Sequence, residues 1–200
     1  MNHEQRVIAW LEQDKMRMEA LQIAQQVGLN DWCIGAGFVR NLIWDKLHGY
    51  EETTPLNDLD LIYFDPVNTS VEADERIEDE LTSHSTLPWS VKNQARMHHR
   101  NSDAPYRSTS HAMSYWVELE TAIGARLSSS GQVKLVAPFG VDVLFRKHIT
   151  MNPDRLKPID FDQRINSKRW LQLWPDLTVV RPDLTVVRPD LTVVRPEIKV

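Results

Sequence analysis

Cysteine is almost missing from this chain. Cys33 is the only one in 200 residues, so no disulfide can form within the chain, and its place between Trp32 and Ile34 makes it a small core residue rather than a reactive thiol. Long hydrophobic runs are also missing. Nowhere do about 18 apolar residues stand together, so no membrane span is expected. The opening residues MNHEQRVIAWLEQDKM carry charges throughout and lack the apolar centre of a signal peptide, so a cytoplasmic location is expected. An excess of positive charge is the third absence. With 23 Lys and Arg against 28 Asp and Glu the net charge is −5, which argues against broad nucleic-acid binding and leaves room only for a local basic strip.

What is present describes a globular chain. Hydrophobic residues make up 42% and charged residues 26%, enough for one domain with a sizeable core plus extensions. Residues 4–28 place Val7, Ile8, Leu11, Met18, Leu21 and Ala24 at helical spacing, giving one or two helices that end near Gly28. Trp32 to Ile34 then read as a short strand. Gly35 and Gly37 allow a tight turn, and Val39, Leu42, Ile43 and Leu47 give the next helix its apolar face before Gly49 stops it. After a polar loop, Leu59 to Phe64 form a strand carrying aspartates at its start. Thr69 and Glu72 have capping-box spacing ahead of an acidic helix.

Trp89 to His98 alternates apolar and polar residues and is expected to be a strand, with Lys92, Arg96 and His98 on its polar side. Met113, Trp116, Val117, Glu120, Ile123 and Leu127 fall on one helical stripe. Gln132 to Ala137 reads as a further strand, Pro138 and Gly140 turn the chain into Val141 to Phe145, and residues 162–173 read as a last helix. The body is therefore assigned to residues 1–174. From Pro175 the heptad PDLTVVR occurs three times without a change, at 175–181, 182–188 and 189–195. Proline in every copy excludes a continuous helix. One copy is expected to be a terminal strand or extension and the other two a duplication of it, so 175–200 is treated as a C-terminal extension.

The chemistry is concentrated between Cys33 and Asp65. A strand, a glycine turn and a helix start expose backbone N–H groups and the positive end of a helix dipole, which suits a phosphate group. On the next strand Asp58 and Asp60 share one face, with Cα atoms roughly 6.5–7 Å apart, while Leu59, Leu61 and Tyr63 point the other way. Two carboxylates on one face can hold a divalent cation that in turn holds a triphosphate. Arg40 can pair with a phosphate or brace the carboxylates. The adjacent His98 and His99 would point to opposite sides of a strand and make a poor zinc chelate.

GAGFVRN followed by DLDL resembles the head signature of the polymerase-β-like nucleotidyltransferase superfamily. Val39-Arg40-Asn41 is similar to the Val-Arg-Asp of tRNA CCA-adding enzymes and bacterial poly(A) polymerases. WSVKNQARMH, the segment around Trp116, APFGVDVLF and Asn152-Pro153 resemble a bacterial family of uncharacterised nucleotidyltransferase-like proteins, over roughly residues 4–175. The resemblance implies an α+β fold with a mixed sheet of about four or five strands and helices packed against it. It also implies transfer of an NMP from an NTP to an acceptor hydroxyl with release of pyrophosphate, dependent on Mg²⁺ or Mn²⁺. Asp58 and Asp60 become metal ligands and catalytic residues, and Gly35, Gly37, Arg40, Asn41, Lys92 and Arg96 nucleotide-binding residues. The acceptor is expected to be a small molecule, a protein or an RNA end.

Three features depart from the signature. Ala36 occupies the second glycine position, Asn41 stands in place of aspartate, and the third carboxylate from a later strand is not obvious. Asp142, ionisable within VDVLF, is taken as that third acid ahead of Glu118. The alternative expectation is a non-catalytic nucleotide-binding or regulatory module on the same fold.

Overall fold

The computed structural model describes residues 1–182. Two helices open the chain, α1 (His3–Gln13) and α2 (Lys15–Gln26). Asp14 divides them: its backbone is extended, and its side chain accepts a hydrogen bond from the Arg17 N–H to cap the second helix. β1 (Trp32–Gly35), α3 (Gly37–Leu47) and β2 (Leu59–Tyr63) follow in the expected order, and then α4 (Val71–His84). The cap of α4 is Ser70 rather than Thr69, its hydroxyl accepting from the Ala73 N–H.

β3 (Trp89–Asn93), β4 (Gly124–Leu127) and β5 (Val133–Val136) complete a five-stranded sheet in the order β3-β2-β1-β4-β5. β2 and β3 are parallel and the other pairs antiparallel. The fold is thus α+β with a mixed sheet, as expected. The pleat gives the sheet two different faces. Ile34, Leu59, Leu61 and Tyr63 belong to the main core together with Val7 and Leu11 of α1, Leu21 of α2, Phe38 and Leu42 of α3 and Leu81 of α4. Cys33 is opposite Ile62 in the register, and both belong to a smaller cluster with Met113 and Ala122. By the same alternation Asp60 stands on the Ile62 face, away from the main core.

Several elements differ from the sequence reading. The strand beginning at Trp89 ends at Asn93. There the Asn93 side chain accepts the Ala95 and Asp65 N–H groups and donates to the carbonyls of Asp65 and Asn68, so the chain turns into α5 (Gln94–Asn101). The stripe from Met113 to Leu127 is not one helix. α6 (Thr109–Met113) is short, and Gly124 lies so close to Cys33 that a β-carbon would overlap its sulfur, a packing that sets β4 against β1. Within Val141 to Phe145, Val143 and Leu144 are both buried in the main core, which adjacent strand residues on opposite faces would not be. Asp142–Arg146 is a 3₁₀ helix.

The C-terminal part adds β6 (His148–Thr150), α7 (Pro158–Lys168), α8 (Trp170–Leu173) and β7 (Thr178–Val180), with β6 and β7 parallel. The single helix expected at 162–173 is broken at Arg169, whose φ is 54°. These elements build a second core in which Trp44 of α3 meets Ile149, Phe161, Trp170, Trp174 and Leu177. β7 lies within the first heptad copy, while most of the second copy and all of the third lie outside the described residues. No described helix is long and apolar enough to cross a membrane.

Candidate active site

The turn at the end of β1 is strained where the sequence departs from glycine. Ala36 has φ 53° and ψ −121° and serves as the N-cap of α3, a left-handed conformation that costs an L-residue energy. Its N–H donates to the Ile123 carbonyl of the β4 side, which holds the turn in place. The glycines on either side have different reasons. A β-carbon on Gly35 would meet the Trp116 ring at 3.3 Å, so this glycine lets an indole pack on β1. A β-carbon on Gly37 would have nothing nearer than 3.5 Å, so the packing of the fold does not require glycine there.

Arg40 and Asn41, in the first turns of α3, are buried. The Arg40 guanidinium donates to Thr121 Oγ1 (2.8 Å) and Asn41 Oδ1 (2.9 Å) and lies between the rings of Trp44 and Trp170, at 5.0 and 4.7 Å from their centroids. Burial pulls its pKa down to about 10, with the nearby Glu118 carboxylate acting in the opposite direction. Its Nε has no hydrogen-bond partner. In this arrangement Arg40 braces the glycine turn against the C-terminal core.

A cleft of about 490 Å³ opens on the Ile62 face of the sheet. Ala36, Asp60, Ile62 and Lys92 form its floor. Gln94, Met97, Arg100 and Asn101 of α5, the stretch from Tyr115 to Glu118 with Thr121, and Lys157, Asp160, Gln163 and Arg164 at α7 form its walls. Asp60 is half-buried and Asp58 exposed. Burial, and then the neighbouring Asp58 carboxylate, push the Asp60 carboxyl above its ordinary range, while Lys168, Arg40 and Arg164 pull the other way. Two carboxylates held against each other in this way favour a bound cation.

The donor set is a pair rather than a triad. No group of three acidic, histidine or cysteine side chains suited to a metal occurs among the described residues. β3 places Ser90 beside Asp60 and Lys92 beside Ile62 in the parallel register. Two carboxylates fit a Mg²⁺ ion that keeps water and substrate phosphate as its remaining ligands. Asp142 is not among the residues that line the cleft. Its own side chain is exposed on the 3₁₀ helix, with the carboxylate 2.6 Å from His3 Nδ1 of α1. Arg96 is not there either: moved onto α5 by the early end of β3, it pairs with buried Asp74 at 2.5 Å.

Glu118 does reach the cleft wall, yet it is buried and gripped by Arg164, with Nε to Oε1 at 2.6 Å and Nη2 to Oε2 at 3.0 Å. Glu120, equally buried, accepts the Thr150 N–H and hydroxyl at 2.8 and 2.7 Å. Burial raises its pKa to about 7. Lys92, Arg100 and Lys157 line the cleft with no carboxylate partner among the described residues, although Lys92 Nζ donates to the Val91 carbonyl. Sequence reasoning missed Arg100, Thr121, Lys157 and Arg164, whose spacing in the chain carries no signal of their meeting.

No curated protein sequence matches the chain. Among solved structures, one described as revealing a CCA-adding enzyme head domain by NMR is 29% identical. Its TM-score is 0.78, over 89% of this chain and 96% of that one. A CCA-adding enzyme in complex with CTP is 16% identical with a TM-score of 0.54, over 92% of this chain but 44% of that one, a likeness of fold alone. The NMR head-domain structure thus matches over nearly the whole of both chains. Residues 22–179, which contain the glycine turn, Asp58, Asp60 and all five strands of the sheet, match the sequence profile of a nucleotidyltransferase family, and the chain belongs to that family.

Proposed function

We propose that the protein transfers a nucleotide from an NTP to an acceptor hydroxyl with release of pyrophosphate, at the cleft floored by Ala36 and Asp60. The observation that carries this reading is the meeting of Asp60, with Asp58 close enough to act on it, and the strained turn at the start of α3, in a cleft whose lining also includes Lys92, Arg100 and Lys157. Displacement at phosphorus needs positioning and charge neutralisation more than a covalent nucleophile. Lys92, Arg100 and Lys157 supply the neutralisation, Arg164 being held by Glu118. The N–H groups of the α3 N-terminus supply donors beside Gly37. Asp58 and Asp60 would hold Mg²⁺ or Mn²⁺, which when bound stabilises negative charge on the phosphate oxygens. Arg40 acts behind the turn, holding its shape.

A second reading is a module that binds a nucleotide without transferring it, and one observation favours it: only two carboxylates suited to a metal come together among the described residues. Incubation with Mg²⁺ or Mn²⁺ and each α-labelled NTP separates the two, with the protein itself, small hydroxyl compounds and RNA ends as acceptors. Label transfer that disappears in Asp58→Asn/Asp60→Asn supports the transferase. Metal-dependent NTP binding without transfer supports the module, and no binding at all rejects both.

A further inference from the structure

The first heptad copy fills a defined slot at the edge of the C-terminal core. Leu177 is buried among Ile149, Phe161 and Trp174, and Val179 packs against the same cluster. The backbone joins β6 through the Thr178 N–H to the Lys147 carbonyl (3.0 Å) and the Met151 N–H to the Val180 carbonyl (2.9 Å). At one end Lys147 Nζ donates to Asp176 at 2.7 Å. At the other Arg181 reaches Asp162 at 2.6 Å and covers the Phe161 ring at 5.5 Å. Asp162 and Phe161 belong to α7, so the heptad braces the helix that forms one wall of the cleft.

Every group that makes these contacts comes from Asp176 to Arg181, and the same residues recur in the same order at 183–188 and 190–195. The slot therefore has no side-chain means of telling one copy from another. Only the linker differs: Trp174 is anchored by its Nε1–H to Asp45 at 2.8 Å, so a later copy could dock only by looping out the copy before it, and the entropic cost of closing a loop rises slowly with length.

We infer that the slot beside β6 is an exchangeable binding site for the heptad, in which Asp183–Arg188 takes the place of Asp176–Arg181 of its own chain in a minor share of molecules. The copies serve as interchangeable braces for α7, whatever reaction the cleft performs.

Two measurements on the full-length chain test this. In the first, the register partners His148 and Thr178 are replaced as His148→Cys/Thr178→Cys and compared under oxidation with His148→Cys/Thr185→Cys. Exchange predicts an intrachain disulfide in the second variant, formed roughly ten- to a hundredfold more slowly because of the extra loop closure. No disulfide at position 185, or one found only in dimers, overturns the proposal. In the second, Leu177→Asp is compared with Leu177→Asp/Leu184→Asp/Leu191→Asp, and Leu184→Asp/Leu191→Asp serves as the control. Exchange predicts a smaller loss of Tm in the single variant than in the triple, with the control unchanged. Equal losses in the single and triple variants contradict it.

Discussion

At the floor of the cleft, Ala36 and Asp60 come from the turn after β1 and from β2, with Asp58 exposed just before that strand, and no ion pair among the described residues holds them. The walls are assembled from residues between 94 and 164 and fixed by buried charge: Arg164 is clasped by Glu118, and Glu120 is tied to Thr150. Backbone geometry makes the floor, whereas desolvated polar groups make the walls. The floor should therefore tolerate loss of its carboxylates without unfolding, and the walls should not.

The largest expected effect is at the wall. Arg164→Ala leaves the buried Glu118 carboxylate without its bidentate partner, and an uncompensated buried charge costs about 3 kcal/mol, read as the midpoint shift in urea unfolding. A loss below about 0.5 kcal/mol, typical of exposed pairs, would break the contrast. Glu120 gives the next effect. Its folded pKa of about 7 lies above the ordinary glutamate value of 4.5, so the folded state binds the proton more tightly than the unfolded state. Stability is then greatest below the unfolded value and declines as pH rises from about 4.5 to about 7. At about 1.4 kcal/mol per unit the decline is on the order of 3 kcal/mol. Glu120→Gln should flatten that part of the stability profile; an unchanged slope would assign it to other groups.

Smaller effects belong to the floor. Ala36→Gly removes a positive-φ alanine and should stabilise by about 0.5–1 kcal/mol in thermal unfolding, the relief of strain exceeding the extra flexibility of glycine in the unfolded chain. Destabilisation instead would mean that the turn is held by contacts of the alanine methyl. Gly37→Ala should leave stability within about 0.5 kcal/mol, since a β-carbon finds ordinary contact distances. The same variant should weaken NTP binding, because the methyl intrudes where backbone N–H groups face phosphate. Unchanged NTP affinity would separate Gly37 from the phosphate site.

How much of this was legible in the sequence follows the same division. β1, α3 and β2 could be read because strand alternation and helical spacing act over a few residues, although β2 begins at Leu59 and leaves Asp58 exposed just before it. The walls could not be read that way. Asp142 looked like a buried acid in an apolar run, but a 3₁₀ turn exposes it to His3. Arg96 looked like part of a polar strand face, but the side-chain hydrogen bonds of Asn93 end the strand first. Glu118 meets Arg164 only because the segment after α6 unwinds to bridge Met151, which no local pattern announces.

The central claim is that the Asp58/Asp60 pair makes this cleft a metal-dependent nucleotide site. Titration calorimetry of each NTP against the protein, with Mg²⁺ and with EDTA, beside Asp58→Asn/Asp60→Asn, tests it most directly. The account predicts binding that needs the cation and is lost in the double variant, while the variant's unfolding midpoint stays at or above that of the parent because like-charge repulsion is removed. Equal NTP affinity with EDTA, or in the double variant, would contradict it.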